Sequence, residues 1–432
     1  MKDALSKDSH RKIVGDGPIW YPYTQMQNAP LPIVVERAEG VYLHTSCGQR
    51  IIDGISSWWV NIHGHNHPRL NRALNQQAGR FAQVIFAGFT PEPAVLLADQ
   101  LVERTPSNLT RVFFSDNGST SVEVALKMAY QSWVNRGDFG RDLFVAFEHA
   151  YHGDTFGAMA VGGVDVFHSA YSDLFFEVRR AAPPFQQEND SRAEDLERIL
   201  EQDAKRVAAV IIEPMVQAAG GMIIWSPESL CRVRELTTHY GIPLIADEVF
   251  TGFGRTGKMF ACEHGPINPD IMCLSKAITG GYLPLAATLA SEEIYNAFLS
   301  EDRKKTLFHG HSYTGNALSC AVGLESLVLL DEIGLNRVQS LEELFRERLA
   351  KVASLPVVGE VRGIGGLAVV HLHPELQTGY LDTRGPKVAQ EFLQRGVLLR
   401  PLGDVLYFLP PYIITDEEAH GVFDVIEEVL SL

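Results

Sequence analysis

The sequence has 432 residues, of which 46% are hydrophobic and 21% charged, and its formal net charge is −16. This is the composition of a globular protein with a large core, which at this length we expect to be divided into two domains. The acidic charge argues against nucleic acid or an anionic membrane as a partner. The N-terminus does not resemble a secretory signal, no apolar run approaches the roughly 18 to 20 residues that span a bilayer, and the five scattered cysteines fit reduced thiols. We therefore expect a cytoplasmic protein.

The first sixty residues are predicted to contain turns and short extended pieces. The stretch from Val41 to Asp53 has two strand-like runs with a turn at Gly48 between them, which predicts a hairpin. Trp58 and Trp59 follow this hairpin. Adjacent tryptophans are more often core residues than ligand contacts, so their position alone does not indicate a binding site.

Three histidines alternate with other residues just after the tryptophans. Alternate side chains of a strand face the same way, so His63, His65 and His67 could be read as metal ligands. No carboxylate or cysteine lies close to them in the sequence, and Pro68 predicts that a helix begins just after His67. We expect no metal site.

A strand, a glycine turn and a helix are predicted between residues 111 and 133. The strand begins at Arg111 and enters a turn that contains Gly118 and Ser119, after which apolar residues recur at helical spacing. Thr120 and Glu123 have the spacing of a capping box at the helix start. Backbone N–H groups at such a start, aided by the helix dipole, can hold a phosphate group. The turn alone is a weak signal, because many capped helices bind nothing.

Further strands are predicted near residues 144, 208, 244 and 272, mostly separated by helical segments. Together with the strand near residue 112, they indicate an α/β protein with a largely parallel sheet. Residues 187 to 206 have the charged, helical pattern of a solvated surface. Strands near residues 367 and 397 predict another α/β unit towards the C-terminus.

Two of the central strands end in residues that can carry chemistry. One run starts at Leu244 and ends at Asp247, and another starts at Ile271 and ends at Ser275 and Lys276. Ligands of open α/β sheets bind at the carboxyl ends of strands, so these two polar ends could share one crevice. A lysine amine can form a Schiff base with pyridoxal phosphate, while a carboxylate keeps the ring nitrogen protonated. The alternative is a surface lysine and a capping aspartate, but a desolvated lysine is costly unless its chemistry is used.

The motifs around these residues are long and specific. They read Ile245-Ala-Asp-Glu-Val, Gly252-Phe-Gly-Arg-Thr-Gly and Ser275-Lys-Ala-Ile-Thr-Gly-Gly. Together they resemble the class III aminotransferases, which are pyridoxal phosphate enzymes of fold type I. The resemblance extends from Trp20 to Pro411, nearly the whole chain.

The resemblance implies a fold and a domain organisation. We expect an α/β protein whose large domain has a mostly parallel seven-stranded sheet and binds the cofactor. A smaller α/β domain would be built from both termini and close over the site. The expected boundaries are 1–65 for the N-terminal segment, 66–330 for the large domain and 331–432 for the C-terminal part.

The resemblance also implies roles for individual residues. Those expected in catalysis are Lys276, Asp247 and Tyr23. Those expected to contact the cofactor are Gly118, Ser119, Tyr151, Glu213, Asp247, Lys276, His311 and Ser312. Those expected to contact substrates are Tyr23, Trp58, Trp59, Tyr151, Asp154, Lys276, Gly310 and Arg400. Arg400 would take a substrate carboxylate in a bidentate geometry that lysine would not reproduce, and Asp154 is alternatively a loop carboxylate that binds backbone N–H groups.

Within the family, the chain is most similar to the branch that acts in biotin synthesis, which implies amino transfer to 8-amino-7-oxononanoate and the product 7,8-diaminononanoate. Tyr23, Trp58 and Trp59 favour S-adenosylmethionine as the amino donor, because aromatic rings stack on adenine and attract a sulfonium charge. The loop from His309 to Asn316 looks more like that of lysine users, so lysine stays as the alternative donor. In the family this loop reaches the other subunit's cofactor, which implies a homodimer with shared active sites.

Three other functions fit the sequence less well. Another class III activity, such as an ω-amino acid transaminase, is disfavoured by the aromatic residues around Tyr23 and Trp58. A non-catalytic binding module is disfavoured by the intact Lys276 and Asp247. A Rossmann dinucleotide enzyme is disfavoured because the glycine motif that begins at Gly252 opens no evident helix.

Overall fold

The computed structural model describes residues 18–183, 193–373 and 379–432. The strands within these residues are β1 (Val35–Glu39), β2 (Tyr42–Thr45), β3 (Arg50–Asp53), β4 (Leu109–Ser115), β5 (Leu143–Phe147), β6 (Val178–Ala181), β7 (Val207–Ile212), β8 (Val216–Gln217), β9 (Ile223–Ile224), β10 (Leu244–Asp247), β11 (Ile271–Leu274), β12 (Ala286–Ser291), β13 (Val358–Ile364), β14 (Leu367–Leu372), β15 (Val397–Leu398) and β16 (Val405–Phe408). The α-helices are Ser56–Trp59, Pro68–Ala78, Glu92–Arg104, Gly118–Arg136, Phe156–Ala160, Asp165–His168, Ala193–Asp203, Pro227–His239, Glu292–Asn296, Ala317–Val352, Arg384–Gln394 and Asp416–Leu430. Short 3-10 helices lie at Ser169–Leu174, Ala261–His264, Lys276–Thr279 and Arg303–Lys305.

A seven-stranded sheet in the order β4-β12-β11-β10-β7-β5-β6 forms the centre of the molecule. The strands from β11 to β6 pair in parallel, whereas β12 is antiparallel to both of its neighbours, β11 and β4. Every residue of β7, β10 and β11 is buried, as expected for parallel strands that are covered on both faces. The predicted α/β class and mostly parallel seven-stranded sheet are confirmed.

Five of the seven strands coincide with the sequence prediction, and two were not predicted. The strands expected near residues 112, 144, 208, 244 and 272 are β4, β5, β7, β10 and β11. The antiparallel β12 reads Ala-Ala-Thr-Leu-Ala-Ser, and alanine is depleted in strands, so its composition gives a weak strand signal. The other unpredicted strand, β6, is a short edge strand with two exposed arginines.

The register of the sheet brings the predicted polar strand ends together. β10 and β11 are parallel neighbours, with Asp247 opposite Cys273, so Asp247 and Lys276 leave the sheet at the same edge. β4 and β5 run in the same direction as these strands, so the turns that follow them reach this edge as well. This carboxyl edge is where ligands of open α/β sheets bind.

The helix Gly118–Arg136 begins one turn after β4, as predicted, but its cap is different. The side chain of Asn117 accepts a hydrogen bond from the Thr120 amide at 3.1 Å, and the Thr120 hydroxyl accepts one from the Asn117 amide at 3.2 Å. The predicted capping box of Thr120 and Glu123 is therefore wrong. Glu123 instead accepts a hydrogen bond from the Gly157 amide at 2.7 Å, so a tertiary contact takes its carboxylate away from the helix start.

Smaller sheets are formed near the two ends of the described chain, and one of them contains strands from both ends. β1, β2 and β3 are antiparallel, with Tyr42 opposite Ile52, which confirms the predicted hairpin. β15 joins the same sheet in parallel with β3, and β13, β14 and β16 form a separate three-stranded sheet. The helix predicted after His67 begins at Pro68, and the His67 side chain accepts a hydrogen bond from its first turn.

A long helix, Ala317–Val352, connects the central sheet with the C-terminal elements. It is interrupted at Gly334, whose φ of 71° and ψ of 153° are not helical. The predicted helical segment 187–206 is confirmed for Ala193–Asp203, and its first residues lie outside the described part of the chain. Among the helices of the described residues, none is long and apolar enough to cross a membrane.

Candidate active site

A cavity of about 530 Å³ lies at the carboxyl edge of the central sheet. Its walls come from segments that follow β3, β4, β5, β7, β10 and β11, so residues far apart in the sequence share one space. The expected site residues that line it are Trp59, Gly118, Ser119, Tyr151, Glu213, Asp247 and Lys276.

Lys276 follows β11 and opens a short 3-10 helix with a positive φ of 47°. Its Nζ lies 4.8 Å from the centre of the Trp59 ring. Burial lowers the pKa of the amine to about 8, and the negative charges of Asp247 and Glu213 oppose that decrease. More of this lysine is unprotonated near neutral pH than of an exposed lysine, and the unprotonated amine is the nucleophilic form.

Asp247 ends β10 and is only 4% exposed. Its Oδ2 lies 2.7 Å from Nδ1 of His152, and its Oδ1 accepts a hydrogen bond from the Val249 amide at 3.1 Å. His152 is also buried, and its Nε2 has no partner among the described residues. The two contacts fix the orientation of the carboxylate, which lines the cavity with His152 beside it.

Glu213 follows β7 and holds the loop that carries Tyr151. Its two oxygens accept hydrogen bonds from the Tyr151 amide at 2.8 Å and from the Ala218 amide at 3.0 Å. Burial raises the pKa of Glu213 to about 7, and the negative charge of Asp247 adds to this increase, while His152 and the two amides oppose it. Glu213 therefore joins two loops at the cavity wall.

The turn after β4 packs tightly against the loop after β5. The Ser119 hydroxyl accepts a hydrogen bond from the Asp154 amide at 3.1 Å. A Cβ added to Gly153 would lie 2.0 Å from Oγ of Ser119, and one added to Gly118 would lie 2.7 Å from Cγ1 of Val249. Both glycines therefore permit close approach at the N-terminus of a 19-residue helix, where free N–H groups and the helix dipole favour an anion.

Three side chains form a hydrogen-bonded group beside the cavity. The Tyr23 hydroxyl donates to Asp154, with a distance of 2.6 Å to Oδ2, and lies 3.0 Å from the Tyr151 hydroxyl. Burial raises the pKa of both tyrosines, so their hydroxyls stay neutral. Among the described residues, the Asp154 carboxylate binds the Tyr23 hydroxyl and no backbone N–H group, contrary to the alternative interpretation of Asp154.

The two adjacent tryptophans have different surroundings. Trp59 is 4% exposed and packs edge-on against Phe250, with 5.0 Å between ring centres. Trp58 is 36% exposed, and its ring lies 5.7 Å from that of Tyr23. The guanidinium carbon of Arg400 lies 4.5 Å from the centre of the Trp58 ring. Within the described chain Arg400 has no carboxylate at ion-pair distance, so its charge is available at the edge of the site.

The loop that contains Gly310, His311 and Ser312 does not line the cavity of its own chain. Gly310 and Ser312 are exposed, and the Ser312 carbonyl accepts a hydrogen bond from Gln83 at 3.0 Å. His311 comes closer, with its Nε2 3.9 Å from Oδ1 of Asp116, a residue that lines the cavity. The structure therefore brings together the other predicted residues but leaves this loop at the surface.

Sequence reasoning assigned no role to two residues that support the site. His152 holds Asp247, and its place directly after Tyr151 in the sequence was the available signal. Arg255 is 1% exposed and donates to the Trp59 carbonyl at 3.1 Å and the Asn61 carbonyl at 3.3 Å. Its position within the glycine-rich motif was the available signal, but only the tertiary fold shows what it binds.

The histidines near residue 65 have protein partners in the structure. His65 lies 2.9 Å from a buried carboxylate oxygen of Asp53, and His63 lies 3.0 Å from the Ser326 hydroxyl. Over the described ranges, no group of three or more His, Cys, Asp or Glu side chains could hold a metal ion.

Comparison with known proteins places this geometry in a family. The model of the family described as "Aminotransferase class-III" matches residues 23–430. A relative from Synechococcus elongatus, named adenosylmethionine-8-amino-7-oxononanoate aminotransferase, is 48% identical over 96% of this chain and 98% of its own length. A relative of the same name from Aquifex aeolicus is 44% identical over 94% of both chains.

Solved structures give the same result. The crystal structure of a protein from Methanocaldococcus jannaschii with that name has a TM-score of 0.91 and 38% identity, and the match covers 96% of both chains. An amine transaminase from an uncultivated Pseudomonas species, solved in its PLP-bound form, has a TM-score of 0.89 and 33% identity over 96% of this chain and 98% of that one. This chain belongs to the class III aminotransferase family.

Proposed function

We propose that this chain is a pyridoxal phosphate-dependent aminotransferase of biotin synthesis, which converts 8-amino-7-oxononanoate to 7,8-diaminononanoate. The observation that carries the proposal is the shared cavity of Lys276 and Asp247, at the ends of adjacent parallel strands. The names of its relatives support the choice of substrate within the family.

The cavity residues fit pyridoxal phosphate. The Lys276 amine has a lowered pKa that suits reaction with an aldehyde, and the Asp247 carboxylate, held by His152, suits a protonated ring nitrogen. The helix start at Gly118 and Ser119 suits the phosphate group. The cofactor supplies the aldehyde that carries the amino group and the ring that withdraws electrons from the substrate carbon.

Lys276 would act as both base and acid. Its Nζ takes a proton from the carbon that bears the amino group of the donor and later returns it, and positioned proton transfer of this kind contributes roughly 10²–10⁴-fold. The negative charge of Asp247 would favour a proton on the ring nitrogen of the bound cofactor. Trp59, 4.8 Å from Nζ, covers one side of the amine and limits the access of water.

The edge of the cavity suits a substrate with a carboxylate at one end. Arg400 lies against the Trp58 ring with its charge unpaired among the described residues, and guanidinium binds carboxylate in a bidentate geometry. Trp58 offers an apolar surface between this charge and Tyr23. An acid with a long apolar chain, such as 8-amino-7-oxononanoate, would use both features.

We propose S-adenosylmethionine as the amino donor. Tyr23, Trp58 and Trp59 give the site an aromatic wall, and aromatic rings favour a donor with a flat ring and a sulfonium cation by roughly 0.5–2 kcal/mol per contact. Lysine stays as the alternative because the loop from His309 to Asn316 is more similar to that of lysine users. The wall of the substrate site should influence the choice of donor more than this loop does.

We also propose a homodimer whose active sites are shared. Gly310 and Ser312 are exposed and lie outside their own cavity, which leaves them free to reach a second copy. Phe308, just before this loop, is 71% exposed, and Phe89, in the segment that follows Gln83, is 68% exposed; Gln83 binds the Ser312 carbonyl. An apolar surface of this kind is typical of a subunit interface.

For the domains we propose the boundaries 1–65, 66–330 and 331–432, with the first and last segments forming one small domain. The parallel pairing of β15 with β3 supports the association of the two termini. The interruption of the long helix at Gly334 lies close to the second boundary.

A paired screen of amine donors and keto acids tests the function. The visible absorbance of the bound cofactor should decrease when S-adenosylmethionine is added alone and recover when 8-amino-7-oxononanoate is added. Lys276→Ala serves as the control and should show neither change. Recovery with simple ω-keto acids but not with 8-amino-7-oxononanoate would contradict the proposed substrate while leaving the aminotransferase assignment intact.

A further inference from the structure

Phe167 lies at the centre of an aromatic cluster beside the site. Its ring centre lies 5.4 Å from that of Tyr23, 6.0 Å from that of Tyr151 and 4.7 Å from that of Tyr380. All three contacts are edge-on, with interplanar angles of 83° or 84°. Phe167 therefore connects the two site tyrosines to Tyr380 in the C-terminal part of the chain.

The turn that carries Tyr380 is held in a defined position. The Gly379 amide donates to Oδ1 of Asp404 at 3.2 Å, and the Asp382 amide donates to the Gly379 carbonyl at 3.0 Å. A Cβ on Gly403 would lie 1.8 Å from that same carbonyl oxygen, so the two turns are in direct contact. These contacts hold the backbone of the turn and therefore define where the ring of Tyr380 lies.

Two aromatic walls diverge from Tyr23, and the first is cationic. In the first wall, the Tyr23 ring centre lies 5.7 Å from the Trp58 ring centre, and the guanidinium carbon of Arg400 lies 4.5 Å from the Trp58 ring centre. This wall suits an anionic group, such as the carboxylate of the keto acid.

The second wall, through Phe167 to Tyr380, has the opposite character. The Asp154 carboxylate, which accepts from the Tyr23 hydroxyl, places a negative charge where this wall begins. Arg180 lies near the neighbouring His168, and its guanidinium donates to the carbonyls of Gly162 and Ala160. Phe167 and Tyr380 are only partly buried, so their rings keep accessible surface. Such a wall suits a flat aromatic group that is joined to a positively charged centre.

We propose that Phe167 and Tyr380 recognise the adenine ring of S-adenosylmethionine and so select it over lysine as the amino donor. The inference rests on the proposed function and adds a specificity site to it. In this arrangement the rings contact the adenine, and the Asp154 carboxylate beside Tyr23 supplies the negative charge that attracts the sulfonium. Lysine has no flat ring to place on this wall, so its binding gains nothing from Phe167 or Tyr380.

Phe167→Leu tests the proposal because it removes the ring and keeps an apolar side chain. We expect the KM for S-adenosylmethionine to rise about 2- to 12-fold, the effect of one lost aromatic contact, while the KM for lysine and for the keto acid changes less than about twofold. Tyr380→Leu should have the same effect, and Tyr380→Phe, which keeps the ring, should resemble the wild type.

Binding gives a second readout that needs no turnover. In a Lys276→Ala background, titration calorimetry should show the same loss of S-adenosylmethionine affinity when Phe167→Leu is added. Phe156→Leu is the matched control, because Phe156 is an exposed ring that contacts Tyr171 at 5.9 Å and does not belong to this cluster. The control should leave both donors unchanged.

The outcomes separate the inference from the proposed function. Equal changes for both donors, or no change in Phe167→Leu, would overturn the inference while the wild-type reaction with S-adenosylmethionine still stands. A wild-type enzyme that reacts with lysine and not with S-adenosylmethionine would also overturn it. A wild-type enzyme that takes an amino group from no donor would contradict the proposed function itself.

Discussion

A methyl group added at Gly153, as in Gly153→Ala, is expected to disturb the cofactor site more than one added at Gly118, because its contacts are closer. Gly153 has a φ of 127°, where a residue with a side chain costs about 1–3 kcal/mol. Its new Cβ would lie 2.0 Å from Oγ, 2.6 Å from Cβ and 2.8 Å from Cα of Ser119, so the backbone of one of the two turns must move. Overpacking of this kind adds about 1–3 kcal/mol, for a total of roughly 2–6 kcal/mol.

Two assays measure this cost. The midpoint of urea unfolding should fall, and the dissociation constant for pyridoxal phosphate, titrated into cofactor-free protein, should rise tenfold or more, since about 1.4 kcal/mol is one factor of ten. Gly137→Ala is the matched control: Gly137 follows the other end of the same helix with a φ of 90°, but a Cβ there would meet nothing within 4 Å. That variant should lose stability through its backbone alone and keep its cofactor affinity. Equal cofactor affinity in the two variants would refute the steric argument.

Three further predictions follow from the site. Asp247→Asn should lower kcat strongly with little change in substrate KM, because a neutral amide cannot keep the ring nitrogen protonated; an effect on KM alone would contradict this role. Burial lowers the pKa of Lys276 from 10.5 to about 8, so the unfolded chain binds more protons above pH 8, and the stability of cofactor-free protein should rise with pH between about 8 and 10.5 relative to Lys276→Met. Parallel pH curves for the two proteins would refute the shift. A mixed dimer of Lys276→Ala and Ser312→Asp chains should regain one working site, and no activity above that of either parent would count against shared sites.

The central elements could be predicted because their local signals agree with the fold. Short apolar runs that end in Asp247 and Lys276 indicate buried parallel strands, and the register of β10 and β11 brings these ends to one edge. The helix start at Gly118 was recognisable from a strand followed by a glycine turn and a helical pattern. In these places propensity, periodicity and tertiary packing favour the same structure.

Other features depend on contacts that sequence separation conceals. The cap of the first site helix was assigned to Thr120 and Glu123, but Glu123 binds the Gly157 amide and leaves the cap to Asn117. His152 could not be assigned to Asp247 from the sequence, because His152 lies in the loop after β5, Asp247 ends β10, and only the sheet order brings the two together.

The aromatic cluster shows the same limit. Phe167 lies in a four-residue helix with no distinctive motif, and its contact with Tyr380 joins segments more than two hundred positions apart. Neither composition nor periodicity carries information about such a pair. The contact between Phe167 and Tyr380 depends on how the turn that carries Tyr380 packs against Gly403 and Asp404, and only the folded structure shows that packing.

The most direct test of the account is to identify the lysine that binds the cofactor. Protein loaded with pyridoxal phosphate is reduced with borohydride, digested and analysed by mass spectrometry, with Lys276→Ala treated in parallel. We predict that the phosphopyridoxyl group is found on the peptide that contains Lys276 and is absent from the variant. Stoichiometric labelling of a different lysine, or the same visible absorbance in Lys276→Ala as in the wild type, would contradict the assignment of Lys276 and with it the proposed reaction.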